Sequence, residues 1–347
     1  AAAAVKTVND SGQLAVVVTN QSAVAKGFIT PKYLERILAK LETELGEHGA
    51  RFDRIYHCPH LPEEGFPGEV PELKISCECR KPKPGMLLRA ANELPIDLPN
   101  SCLIGDTQRD IVAAQRAGVV AYGVRTGRAC RDCTGGVQPL LMFNDVFEAA
   151  RFAVAGVPEA EYVVNDIVAR IGASDRKQVN VSVCGPQASG KTMLAHATAR
   201  ALRRKGFVVN HISADDFRRF HGGDVIEIAQ QDRYDDLLKS FELGEPTGLC
   251  ADGRVANPAS NVNIIEGLHA CSPGLRSRID YAVYVDAHDF VLEDRIALIN
   301  RWMGKRADAI ETVLSQVRCE EWRSVRQQLD FVDMTVRLSP LGAAIPT

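Results

Sequence analysis

Residues 185–192, Gly-Pro-Gln-Ala-Ser-Gly-Lys-Thr, constrain this chain more than any other stretch. They fit Gly-x-x-x-x-Gly-Lys-Ser/Thr and lie between a β-branched run, "VNVSVC", and a helical run from Lys191 onward. That context gives the pattern its meaning, because such a loop works as the turn from a strand into a helix. Its glycines let successive backbone amides wrap phosphate oxygens, and the helix N-terminus adds its positive end. In such a loop Gly185, Ser189 and Gly190 cradle the phosphates of a nucleotide. Lys191 then reaches the β and γ phosphates, and the Thr192 hydroxyl sits on Mg²⁺. ATP with Mg²⁺ is the expected ligand.

Strand-like and helical runs alternate on both sides of this loop, which predicts α/β architecture with parallel sheets. Before it, strands are expected at "LAVVV", "DRIYH", "SCLIG" and "VVAYGV", with helices at about 31–46, 84–94 and 108–117. After 179, strands are expected at "NVSVC", "FVVNHI", "VNIIE" and "YAVYV", with helices at about 191–205, 230–243, 289–303 and 311–328. A closing helix over 143–153 and the linker "VAGVPEAE" put a boundary near 155–160. The reading is two three-layer domains, 1–155 and 160–347, which a chain of 347 residues accommodates. Hydrophobic content of 46% and charged content of 24% suit packed globular cores. A net charge of -3 provides no bulk attraction to nucleic acid or an anionic membrane, and neither is expected as a partner. No apolar run approaches the ~20 residues of a membrane span. Cytoplasm is the expected compartment.

The ten cysteines are unevenly placed, with three between 58 and 79. Cys58-x-His60 and Cys77-x-Cys79 form two close pairs of soft or borderline ligands, suited to tetrahedral Zn²⁺ in a closed, structural site. The span between them, "LPEEGFPGEVPELKIS", is rich in Pro, Gly and Glu, so a metal clip would give it shape. His57 falls outside the paired spacing. Cys130-x-x-Cys133 has no second pair close in sequence and reads as a loop with two thiols. Trp302 and Trp322 read as packing residues.

In "CLIGDTQRDIVAAQRAG" a strand ends at Gly105-Asp106, and Asp110 follows four residues later. Carboxylates at the carboxyl edge of a parallel sheet stand where α/β ligands bind, and oxygen ligands there suit Mg²⁺. The ordered set "TNQSAVAKG", "YHCPH", "CECRKPKPGM" and "GDTQRDIVAAQRAG" resembles the zinc-containing phosphatases of the haloacid dehalogenase (HAD) superfamily over residues 14–127. It is most similar to the D-glycero-D-manno-heptose 1,7-bisphosphate and histidinol phosphatase group. That resemblance implies a HAD-like Rossmannoid fold. In it Thr19 would hydrogen-bond the transferred phosphoryl group, Asn20 would contact substrate, and Arg80 would lie beside the substrate phosphate. Lys81 would neutralise charge on the phosphoryl oxygens, and Asp106 would bind Mg²⁺ with Asp110 in support. The family's chemistry begins with an Asp-x-Asp pair, whose first carboxylate attacks phosphorus and whose second transfers protons. Residues 1–18 contain Asp10 as their sole acid, and "AAAAVKTVND" reads as a helix. We expect truncation at the start rather than loss of function, since the remaining motifs are intact. These residues alone are expected to dephosphorylate nothing.

"HISADDFRR", "NIIEGLHA", "DRIALINRWMGKRADAIETV" and "FVDMTVRL" follow the phosphate loop in an order that resembles the uridine kinase and phosphoribulokinase family over about 179–338. The resemblance implies a P-loop NTPase fold with Asp215 as catalytic base, Glu266 as the acidic active-site residue, and Arg301 and Arg306 on a lid. Arg295 and Lys305 extend the same basic cluster. Arg218-Arg219 stands where uridine kinases carry an aromatic, and guanidinium groups favour a phosphate-bearing acceptor. A fused zinc-bearing phosphatase-type domain and small-molecule kinase of sugar-phosphate metabolism, heptose included, is therefore expected. Its partner would be a sugar or sugar phosphate. Two rivals are a polynucleotide end-processing enzyme and a kinase regulated by a non-catalytic HAD domain.

Overall fold

The computed structural model describes residues 1–132, 137–173, 178–213, 256–257 and 259–339. The chain forms two compact units, Ala1–Ala155 and Gly156–Thr347. Among the described residues no helix is long and apolar enough to cross a membrane.

The first unit runs α1 (Ala2–Asp10), β1 (Val16–Asn20), α2 (Pro31–Glu47), β2 (Arg54–Cys58), α3 (Gly85–Glu93), β3 (Cys102–Gly105), α4 (Gln108–Arg116), β4 (Val120–Val124), β5 (Leu141–Phe143) and α5 (Val146–Ala155). Local chemistry sets two of the helix starts. Thr30 caps α2 by accepting the Tyr33 amide at 3.1 Å, with Pro31 at the first helical position. Thr107 and Asp110 close a reciprocal capping box on α4. Every strand pairing is parallel. β1 pairs with β2, placing Thr19 opposite His57 and Asn20 opposite Cys58, while β3, β4 and β5 make a second ladder. Among the described residues no strand joins β1 to β3, so the unit carries two part-sheets. Tyr122 of β4 is fully buried, edge-on to Phe143 and Phe152 at 5.6 Å each, which is the arrangement aromatic quadrupoles favour.

Two sequence expectations change here. Leu141–Phe143 is a strand, and the closing helix starts three residues later than 143 and ends at Ala155. The stretch read as linker contains the start of a helix, Glu159–Gly172. Its buried Ala160, Val163, Val164 and Ile167 have the spacing of one helical face, so the signal was present under the Gly and Pro punctuation.

The second unit comprises that helix, α6 (Glu159–Gly172), then β6 (Val179–Cys184), α7 (Lys191–Arg204), β7 (Val209–Ser213), β8 (Val262–Glu266), β9 (Tyr281–Asp286), α8 (Asp289–Trp302), α9 (Ala307–Gln316), α10 (Trp322–Arg326) and β10 (Met334–Arg337). Its sheet has the order β10-β9-β6-β8-β7, all parallel. β6, which carries the phosphate loop, is central. The expected helix over 230–243 lies outside the described residues. The expected helix over 311–328 is instead α9, a π-helical turn at Val317–Glu321, and α10. The apolar spacing accounts for the break. Ile310, Leu314 and Val317 step by four and three, and Trp322 follows five residues on, yet all four pack in one buried cluster. A turn with an extra residue keeps Trp322 on that face.

Register in this sheet is marked by a row of amides, two buried and one half-buried. Asn180, Asn263 and Asn210 lie opposite one another across β6, β8 and β7. Asn263 accepts from Asn210 Nδ2 at 2.9 Å and Ser260 Oγ at 2.8 Å, and it donates to Asn180 Oδ1 at 2.9 Å. Removing its amide takes one hydrogen-bond partner from each of those groups at a fully buried position. Asn263→Ala should therefore cost about 3 kcal/mol in urea unfolding of the full chain. A loss below about 1 kcal/mol would mean that the row contributes little.

Candidate functional site

The first unit gathers its sulfur ligands at the end of β2. Cys58, His60, Cys77 and Cys79 place one donor atom each within 4.8 Å of one another. Their Sγ–Sγ separations are 3.5, 3.1 and 3.3 Å, and His60 Nδ1 lies 3.6 and 3.4 Å from Cys58 and Cys79. Tetrahedral zinc, with bonds of about 2.3 Å to sulfur and 2.0 Å to nitrogen, sets donor separations of roughly 3.5–3.8 Å. The donor set fits such an ion with slight contraction. Burial, reinforced by the Cys79 thiol, pushes the Cys58 thiol well above its ordinary value, and a cation among the three sulfurs would reverse that. His57 is exposed and outside the cluster.

A second group meets at the carboxyl ends of β1 and β3. The Lys81 ammonium pairs with Asp110 Oδ1 at 2.5 Å and donates to the Val18 carbonyl at 2.7 Å, largely shielded from water. Asn20 grips the Lys81 main chain from both sides: its Oδ1 accepts the Lys81 amide and its Nδ2 donates to the Lys81 carbonyl, each at 3.0 Å. The Asn20 amide thus holds Lys81 in place. The Thr19 hydroxyl accepts from Gln21 Nε2 at 3.1 Å. Arg80 donates to the His60 carbonyl at 3.1 Å, tying it to the thiol cluster. Asp110 Oδ2 takes the Thr107 amide and hydroxyl, so both of its oxygens are engaged, and Asp106 is the better placed of the two to meet a cation.

Sequence reasoning missed the loop after β4 as part of this group. Arg128 donates its amide to Asp106 Oδ2 at 2.9 Å, and Cys130 donates its amide to the Asp106 carbonyl at 2.6 Å. Asp132 accepts the Gln108 amide at 2.7 Å, and Gln108 Nε2 donates to the Cys130 carbonyl at 3.0 Å. Gly127 has φ 68°, and a side chain there would strike the Asp106 carboxylate. The consecutive left-handed Ala129 and Cys130, with φ 51° and 55°, let the loop double back over the β3–α4 turn. A Gly-rich stretch after a strand was the available signal. Burial pushes the Cys130 thiol up to about 11. Cys133 lies outside the described residues.

In the second unit, the loop between β6 and α7 wraps tightly. Gly185 has φ 140°, and a side chain there would collide with the Val285 carbonyl of neighbouring β9. Gly190, at φ 105°, caps α7. Lys191 is buried with Nζ on the Pro186 carbonyl at 3.0 Å, folded over the loop that it would serve. The Thr192 hydroxyl donates to Glu266 Oε1 at 3.1 Å, and Glu266 is buried at the end of β8. A hydroxyl from the start of α7 and a carboxylate from the end of β8 are oxygen donors of the kind Mg²⁺ takes beside a phosphate chain. Ser189 is buried within the loop.

The basic residues divide. Arg295 of α8 donates to the Ala188 carbonyl at 3.1 Å and the Ser189 carbonyl at 3.4 Å, and burial lowers its pKa. Arg301, in the last turn of α8, and Arg306, which precedes α9 and pairs with Asp308 at 3.3 Å, are exposed. Asp215 and Arg218 lie outside the described residues. Glu321 was not anticipated: its Oε1 accepts the Gln187 amide of the loop at 3.1 Å.

The HAD-hydrolase-like family model matches residues 78–149. The D-glycero-alpha-D-manno-heptose-1,7-bisphosphate 7-phosphatase of Photorhabdus laumondii is 34% identical over 147 residues, covering 42% of this chain and 76% of that protein. The D-glycero-beta-D-manno-heptose-1,7-bisphosphate 7-phosphatase of Vibrio cholerae is 42% identical over 118 residues, which span 34% of this chain and 61% of that protein. Among solved structures, a protein of Silicibacter sp. TM1040 described as a fructose transport system kinase aligns at a TM-score of 0.41 and 17% identity, covering 51% of this chain and 98% of that one.

Proposed function

Because the chain belongs, through its first unit, to the HAD-like hydrolase family of the heptose-bisphosphate 7-phosphatases, we propose that it is a two-unit protein of sugar-phosphate metabolism. In this reading the second unit is a kinase that transfers the γ-phosphate of ATP to a hydroxyl of a sugar or sugar phosphate. The observation that carries it is the phosphate loop on the central strand, with Thr192 hydrogen-bonded to the strand-end carboxylate Glu266. ATP and Mg²⁺ would supply the transferable phosphoryl group and the charge that offsets it. Gly185, Ser189 and Gly190 would shape the cradle, Lys191 would turn from Pro186 to the phosphates, and Thr192 with Glu266 would hold Mg²⁺. Asp215 would accept the hydroxyl proton, Arg218 would meet an acceptor phosphate, and Arg301 and Arg306 would close from the exposed end of α8.

The first unit supplies a phosphate-binding scaffold. Thr19, Asn20, Arg80 and Lys81 would surround a substrate phosphate, Asp106 and Asp110 would serve Mg²⁺, and the four-ligand cluster would hold structural Zn²⁺. With no Asp-x-Asp pair in residues 1–18, this chain should not hydrolyse phosphate esters by itself. Thiols gathered as metal ligands suit a reducing compartment, in line with a cytoplasmic setting. The test is an ATP-consumption screen of the full chain over sugars, sugar phosphates and nucleosides, with release of inorganic phosphate followed in parallel. A sugar phosphate should be the preferred acceptor. Equal turnover of uridine would remove the acceptor assignment, and ester hydrolysis by this chain would remove the scaffold reading.

A further inference from the structure

The phosphate loop is gripped by two charged side chains of opposite sign, one of which is unexplained by its expected chemistry. Arg295 takes the carbonyls of Ala188 and Ser189, while Glu321 takes the amide of Gln187. Between them sits Ala188, a non-glycine residue at φ 62°, in a conformation that an L residue keeps only when its surroundings impose it. The Ala188 methyl packs against the cluster of Leu292, Ile296, Ile310, Leu314 and Trp322, which holds it from a third side.

Glu321 owes its place to the π turn. It is the last residue of Val317–Glu321, directly before the buried Trp322. Arg318 of the same turn is tied to Glu293 of α8 at 2.7 and 2.8 Å, so the turn and the helix bearing Arg295 are joined. A π turn inside a helix recurs at working sites more than at inert ones, because it re-aims a side chain.

We propose that Glu321 is a positioning residue of the phosphate loop: as an internal acceptor on the Gln187 amide, it holds the left-handed turn at Ala188 open for the phosphates of a nucleotide. The inference rests on the nucleotide-binding reading above. A carboxylate beside incoming phosphate is electrostatically unfavourable, so its role here is geometric. The amide needs an acceptor at that distance, and the charge is incidental to it.

That distinction sets the test. Full-length wild type, Glu321→Gln, Glu321→Asp and Glu321→Ala would be titrated calorimetrically with Mg²⁺ and AMP-PNP, a non-hydrolysable ATP analogue. Glutamine keeps an acceptor at the same reach without charge, so its Kd should stay within about threefold of wild type. Aspartate keeps the charge but is one methylene shorter, and alanine has neither, so both should bind about tenfold more weakly. Tighter binding by Gln and Ala together would overturn the proposal, since the carboxylate would then be competing with phosphate. Unchanged binding by Ala would overturn it as well. If wild type itself bound no nucleotide, the kinase reading would fall and this inference with it. If wild type bound and the Asp and Ala variants matched it, the inference alone would fall.

Discussion

Cys79→Ser should abolish zinc binding at the proposed four-ligand site and loosen the 58–79 loop, the largest single effect expected in the first unit. Structural zinc in sites of three thiolates and one imidazole contributes on the order of 10 kcal/mol of binding at neutral pH. In the loop between the paired ligands Leu61 is the one apolar side chain in the buried core, and the Lys74–Glu69 pair at 3.0 Å and the Val70 amide on the Ala25 carbonyl are among its polar ties. Replacing one thiolate by a hydroxyl should weaken zinc affinity at least ~100-fold. Zinc content measured after purification should fall from near one equivalent to near zero. Because each thiolate must be deprotonated to bind, zinc should also be lost as pH falls, and stability with it; raising the pH should restore both. Arg80, whose guanidinium sits on the His60 carbonyl, should lose its anchor in the variant. Retention of stoichiometric zinc by Cys79→Ser, or its absence from the wild-type chain, would sink the assignment.

Lys191→Ala should lower ATP turnover by roughly 10³-fold, since no other described cation extends over the phosphate loop from within it. The wild-type ammonium is buried on the Pro186 carbonyl. Thr192→Ala should act through the metal. It removes the hydroxyl bonded to Glu266, so the Mg²⁺ concentration needed for half-maximal turnover should rise, and excess Mg²⁺ should recover part of the rate. ATP turnover in Lys191→Ala within about fivefold of wild type would mean that the loop is not where the chemistry occurs.

Much of this architecture was legible because its signals are local. The strand-loop-helix around Gly185–Thr192, the Thr30-Pro31 helix start and the paired Cys58/His60 and Cys77/Cys79 ligands each need a few adjacent residues of the right type. Elements were misread where two local signals overlapped. Gly156 and Pro158 punctuate the chain just as the apolar face of α6 begins, and the linker reading followed the punctuation. At 311–328 a single helical period was assumed, and the five-residue step from Val317 to Trp322 was passed over.

What the sequence determined by itself was the parallel α/β class, the phosphate loop with Lys191 and Thr192, and the ligand types of the thiol cluster. Spacing along the chain is enough to specify each of them. The tertiary structure alone decided which side chains serve those motifs. Asn20 clamps Lys81 across 61 residues, and Glu321 reaches Gln187 across 134. Arg295 reaches the loop carbonyls from 106 and 107 residues away, and the Asp106 carboxylate takes the Arg128 amide across 22. Such partners are chosen by packing, because a polar side chain carried into the interior must find a hydrogen-bonding group wherever the fold has put one. No period or spacing in the sequence encodes that choice.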